Sequence, residues 1–248
     1  MKNIWTLAKR EYNHYFTSPV AYVVAFAIFL VLGVIFALNL FYYYQNAFQS
    51  FGSTPDIGPI TGAFTFLLVL SVPALTMRLV SDENRIGTME LLLTAPVRDW
   101  ELIIGKWLGG FLFILTVIAV TLVYPLILNN LVSPSIDQRV MMSAYLGVIL
   151  ISASFLGLGV GISAIFTNQI AAFFVTLLTF IFLWWLVGFP ANVVPVGGSV
   201  FTYFDMQSHF YESLNVGIIN LSDIAYFISL TALGLFMGTT AVEIRRWQ

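Results

Sequence analysis

Asp205, His209 and Glu212 are the one set of residues whose types and spacing suggest a metal site, standing at i, i+4 and i+7 on one side of a short helix. Two carboxylates and an imidazole are donors that a divalent cation accepts. One histidine with two acids, lacking a second histidine or a thiolate, falls short of the sets such ions select. The three therefore read as surface residues of an outer helix, and no metal is expected. Nucleophilic and hydrolytic chemistry is equally poorly served, because there is no cysteine, no H-E-x-x-H and no G-x-S-x-G. Phosphate-binding machinery is absent too. G-x(4)-G-K-[ST] does not occur, and "GLGVG" at Gly157 to Gly161 lies inside an apolar helix with no preceding strand. No catalysis and no cofactor are expected of this chain alone.

A different stretch concentrates charge. "SDENRIGTMELLLTAPVRDWELIIGKW", residues 81–107, crowds acids and bases between two long apolar runs. Ser81, Asp82 and Glu83 carry the hydroxyl and acids that favour a helix start. Ile86, Met89 and Leu93 follow at helical spacing, and Thr94, Ala95 and Pro96 supply the stop. Asp99 and Glu101 open the next helix in the same way. A solvated loop has no need of "MELLL" in water, so an apolar face held outside the bilayer points to a docking surface.

The elements that must position these residues are membrane helices. Of 248 residues, 59% are hydrophobic and 9% charged, which excludes a water-soluble globule. Six runs reach the ~20 residues a spanning helix needs: residues 19–43, 61–80, 103–128, 140–165, 170–189 and 223–244. They are apolar on every face, which rules out a membrane β-barrel. The fold class is thus an all-α polytopic membrane protein, a single transmembrane domain over 1–248. With the N-terminus cytoplasmic, Lys2, Lys9, Arg10, Arg78, Arg85, Arg98, Lys106, Arg245 and Arg246 fall inside and only Arg139 outside. The two histidines, His14 and His209, are then on opposite sides. The first span reads as an uncleaved anchor.

Three further segments complete the reading. In "IWTLAKREYNHYF", Trp5, Tyr12 and Phe16 face one way and Lys9, Arg10 and Glu11 the other, so residues 1–18 suit an interfacial helix in the headgroup layer or an ordinary aromatic and basic belt. Residues 190–222 are too apolar for a free loop and too broken by proline and glycine for a span. Short helices re-entering the outer leaflet against protein, between helices 5 and 6, would satisfy that backbone. Gly157 and Gly161, like Gly234 and Gly238, have the small-x-x-x-small spacing of helix contacts, read as internal packing in preference to a dimer seam.

"DENRIGTMELLLTAPVRDWELIIGKW" resembles the cytoplasmic segment of ABC-2 type permeases, the membrane subunits of ATP-binding-cassette transporters, where E-x(3)-G-T-x-E-x-L-L-x-x-P precedes the third span. The ending "LSDIAYFISLTALGLFMGTTAVEIRRWQ" is similar to the branch containing gliding-motility-associated and copper-site-maturation permeases. The resemblance implies that residues 81–98 are a coupling helix, with Glu83, Gly87, Thr88, Glu90, Leu91 and Pro96 at the ATPase contact and residues 1–18 as the connecting helix beside it. It implies two copies of a cytoplasmic ATPase that bind ATP and Mg, and a second permease copy or paralogue. An extracytoplasmic accessory protein is an optional partner, and no nucleic acid is expected. The setting implied is a prokaryotic cytoplasmic (inner) membrane with both termini inside. The rivals are an ATP-independent channel or secondary transporter, and a structural anchor for an extracytoplasmic assembly. The apparent bareness of the span interiors argues against proton or sodium coupling and suits an amphipathic or lipid-linked substrate better than a hydrophilic one.

Overall fold

The computed structural model describes residues 2–45, 56–87, 97–132, 135–192 and 198–246. Every regular element among them is helical. In chain order they are α1 (Lys2–Thr17), α2 (Pro19–Gln45), α3 (Gly58–Thr76), α4 (Ser81–Ile86), α5 (Asp99–Thr121), α6 (Val123–Leu131), α7 (Gln138–Ile165), α8 (Gln169–Ile181), α9 (Gly198–Phe204), α10 (Met206–Tyr211) and α11 (Leu221–Arg246). Six traverses are long and apolar enough to cross a membrane: Pro19–Gln45, Gly58–Glu83, Asp99–Leu131, Gln138–Ile165, Gln169–Leu186 and Leu221–Arg246. They correspond to the six runs expected from hydropathy, so this is a multi-pass membrane protein.

α7 is the central helix, packed against α11, α3, α5 and α8. Its glycines make this possible. A Cβ on Gly161 would lie 2.4 Å from the Gly234 carbonyl oxygen, and one on Gly234 would lie 2.3 Å from the Gly157 carbonyl carbon. The two glycine stripes therefore pack on each other within the chain, where close backbone approach replaces the hydrophobic drive that lipid removes. The opposite extreme is α2, whose Phe26, Leu30, Val34 and Leu38 are exposed, as suits a helix facing acyl chains.

The second traverse is broken. Pro73 lies within α3 and offers no N–H, and the α-helix ends at Thr76. Met77 N–H still reaches the Pro73 carbonyl, but the N–H groups of Val80 and Ser81 turn aside to Ser163 Oγ, at 3.3 and 3.2 Å. Ser81 does not cap α4 as its position suggested. Its hydroxyl donates back to the Met77 carbonyl, filling an acceptor that the break leaves open.

α1 also departs from expectation. A helix lying flat in the headgroup layer would meet α5 at one turn, yet α1 meets it at four. Asn3 bonds Glu101, Leu7 abuts Gly105, Glu11 abuts Gly109, and Tyr15 stacks on Phe113 with ring centroids 4.8 Å apart. The two helices run parallel in one register. Gly105 and Gly109 set it: a Cβ on Gly109 would be 2.9 Å from the Ala8 carbonyl oxygen, so only glycine admits α1 this closely. The buried face is accordingly Ala8, Glu11 and Tyr15, while Trp5 and Phe16 are exposed; Glu11 thus docks on protein although its spacing grouped it with Lys9 and Arg10 on the polar side.

These contacts fix a level. The 19 residues of α3 rise about 28 Å, one hydrocarbon thickness. At the end of that rise the Tyr15 hydroxyl donates to the Leu75 carbonyl. The first turns of α5, up to Lys106, project beyond this level, together with most of α1.

At the opposite end lie α9, α10 and two short 3-10 turns, Phe189–Asn192 and Leu214–Val216. Thr61 Oγ1 donates to Asn215 Oδ1 at 2.6 Å, and Phe210 fills the space that Gly147 leaves.

Candidate functional site

The site forms where the break in the second traverse meets α1 and α5. Lys106 is carried on α5 between Gly105 and Trp107 and is 1% exposed. Its ammonium donates to the Leu79 carbonyl at 2.6 Å, one of the acceptors freed by the break. The same nitrogen stands 2.9 Å from Glu83 Oε2 and 3.3 Å from Glu11 Oε1. Arg10 closes the circuit, with one nitrogen 2.7 Å from Glu11 and 3.3 Å from Glu83. Two cations and two carboxylates thus tie together α1, α4, α5 and the loosened turn.

The electrostatics follow from that enclosure. Burial opposes the charge on Glu11, but Lys106 and Arg10 outweigh it and hold its carboxyl below the usual carboxylate range. A buried lysine left alone would be very costly, and here the ammonium hydrogen-bonds the Leu79 carbonyl and Glu11 and lies beside the Glu83 carboxylate as an ion pair. The arrangement does no bond chemistry; it makes a stiff, charge-specific joint.

Of the residues implied at an ATPase contact, Glu83 lies in this joint. Gly87 ends α4 with φ +80°, a conformation that glycine adopts freely, and a Cβ there would meet nothing within 4 Å. Thr88, Glu90, Leu91 and Pro96 lie outside the described residues. Beyond them Glu101 takes the Arg98 N–H at 3.1 Å and the Asn3 amide at 3.3 Å, opening α5 as its sequence suggested. Arg246 pairs with Asp99 at 2.7 Å, which brings the last helix to the same place.

Sequence reasoning counted Lys106 among topology-setting charges and placed Glu11 on a polar face. The missed signal was an ionisable residue inside an expected span, flanked by glycines at 105, 109 and 110.

The suspected metal trio does not assemble, and no such cluster occurs among the described residues. Asp205 caps α10, accepting the N–H groups of Gln207 and Ser208, and Glu212 is exposed. His209 is buried, not a surface residue. Its Nδ1 lies 2.7 Å from Asp223 and its Nε2 2.8 Å from the Tyr203 carbonyl, while Ser213 Oγ is 2.6 Å from the second Asp223 oxygen. This cluster pins the outer segment to the start of α11.

Six apolar helices with a glycine-packed core and a charged joint at one end define a multi-pass membrane protein. Residues 5–242 match the family model described as ABC-2 family transporter protein, and the chain belongs to that family. No curated protein matches it.

Proposed function

We propose that this chain is the permease subunit of an ATP-driven transporter, coupling the nucleotide cycle of a separate cytoplasmic ATPase to export or to mechanical work across the membrane. The observation that carries this reading is the Lys106 joint. Near the start of residues 81–98 stands Glu83, and Glu83 is linked through one ammonium to α5 and α1. A push on that segment is then shared among the second span, the third span and the N-terminal helix without passing through a flexible loop.

The remaining parts follow the family. Two ATPase copies supply ATP and Mg binding, a second permease copy completes the pathway, and the charge-rich end of the bundle faces the cytoplasm because nine of the ten basic residues gather there. Glu83, Gly87, Thr88, Glu90, Leu91 and Pro96 form the ATPase contact. A secondary transporter would keep ionisable groups at mid-span. Among the described residues, the buried charges lie instead toward the ends: Lys106 with Glu11, Glu101 at the start of α5, and His209 with Asp223.

The test is co-purification with the ATPase encoded beside this chain. Glu90→Arg and Leu91→Asp should each release the ATPase, lowering recovery about tenfold and abolishing lipid-stimulated ATP hydrolysis, with membrane expression unchanged. Undiminished association in both variants rejects the proposal.

A further inference from the structure

A cleft of about 450 Å³ opens beside the joint, between the second half of α1, the start of α2, the end of α3 and α4. Its floor is apolar, formed by Tyr15, Ala21, Ala74 and Leu75. That floor lies at the level where the Tyr15 hydroxyl bonds the Leu75 carbonyl, and Pro19 starts the first span at the cleft's edge. The cleft therefore straddles the border between hydrocarbon and water, and an occupant that fits it has an apolar part and a polar part.

Hydrogen-bonding capacity around the rim is one-sided. The three carboxylates that line the cleft are already matched by protein groups: Glu11 and Glu83 by Arg10 and Lys106, and Asp82 by Arg78 and the Gln169 amide. They ask nothing of a ligand. The donors are in the opposite condition. Arg78 spends only its Nε, 3.3 Å from Asp82, which leaves both terminal nitrogens without a partner among the described residues. On the wall formed by the end of α1, the side chains of Asn13, His14 and Ser18 likewise have no partner among them. A cleft whose acceptors are occupied and whose donors are open fits an acceptor-rich group, and a planar guanidinium with two open nitrogens matches two oxygens of one phosphate. Water or free phosphate would satisfy those donors but leave the floor wet; an acyl chain would cover the floor but leave the donors unmatched.

We infer that this cleft holds a membrane phospholipid by its phosphodiester and reads nothing of the headgroup beyond it. The phosphate lies on the open nitrogens of Arg78, within reach of the Asn13 and Ser18 donors, and the glycerol and first acyl carbons cover Ala74 and Leu75. Because the acids are matched internally, an ethanolamine, choline or glycerol headgroup projects to water and contributes no selectivity. The inference does not rest on the ATPase reading, and its test contains no ATPase.

The purified chain in detergent is titrated with phosphatidylethanolamine, phosphatidylglycerol, phosphatidylcholine and diacylglycerol of identical acyl chains, and bound lipid is counted by native mass spectrometry. One phospholipid per chain should persist with any of the three headgroups, and about tenfold less diacylglycerol, which lacks the phosphate. Arg78→Ala should lower phospholipid retention to the diacylglycerol level, and Arg78→Lys should restore it only in part because the fork is lost. Ala74→Trp fills the floor and keeps the fork, so it supplies a second variant should Arg78→Ala fail to fold, and it should release all three phospholipids. Diacylglycerol held as well as the phospholipids, a preference of about tenfold for one headgroup, or retention unchanged in both Arg78→Ala and Ala74→Trp overturns the inference. Displacement of the lipid by millimolar inorganic phosphate overturns it as well, because the site then recognises free phosphate.

Discussion

Lys106 shows how one side chain can decide a local architecture. Removing its ammonium leaves Glu11 and Glu83 sharing the half-exposed Arg10 and takes the lysine donor from the Leu79 carbonyl. Lys106→Ala should therefore destabilise the purified protein by about 3 kcal/mol, read as a lowered midpoint in thermal unfolding. Adding Glu11→Gln to Lys106→Ala should recover part of that loss, since the double variant removes one of the repelling charges. Acid probes the same joint. Glu11 titrates below its unfolded value, so its contribution is complete above about pH 4.3 and disappears as pH falls through the lower folded value. Wild type should lose stability on acidification more steeply than Glu11→Gln over that window, and coincident profiles would show that Glu11 is not held in its charged form.

Between elements, glycine spacing does the work that apolar area does in water. Gly109→Leu should cost about 2 kcal/mol and detach α1 from α5, because its side chain meets the Ala8 backbone and Glu11 Cβ, neither of which can rotate away. A bifunctional maleimide bridging cysteines placed at Asn3 and Glu101, whose side chains meet across the two helices, reports the docking, and its unchanged yield in the Gly109→Leu background would refute this. The six spans were legible because a run of twenty apolar residues has one meaning in a chain so short of charge. The Gly157 and Gly234 stripes were legible for the same reason. Less legible was the docking of α1: Glu11 reads as a polar neighbour of Lys9 and Arg10, but it docks together with the small Ala8 because its partner Lys106 stands far off in sequence. His209 was misread likewise, since Asp223 looks like a span end until α10 folds over it.

Across the whole molecule, the distribution of charge should set orientation. The chain has no cysteine, so single replacements can be labelled without background. Ser135→Cys should react with a membrane-impermeant maleimide in intact cells, and Lys9→Cys only after permeabilisation; the reverse pattern would invert the proposed topology.

The parallel register of α1 and α5 bears on how the chain is made. Partners in it are 98 residues apart, and at 5–20 residues per second α5 leaves the ribosome roughly 5–20 s after α1. During that wait α1 lacks its main partner, and a helix carrying Trp5 and Phe16 beside Lys9 and Arg10 can rest on lipid headgroups. The amphipathic pattern visible in its sequence is that of the waiting helix. When Lys106 arrives, its counter-ion Glu11 is already at the membrane surface, so the lysine meets a carboxylate as it is buried and α1 changes its neighbour from lipid to protein.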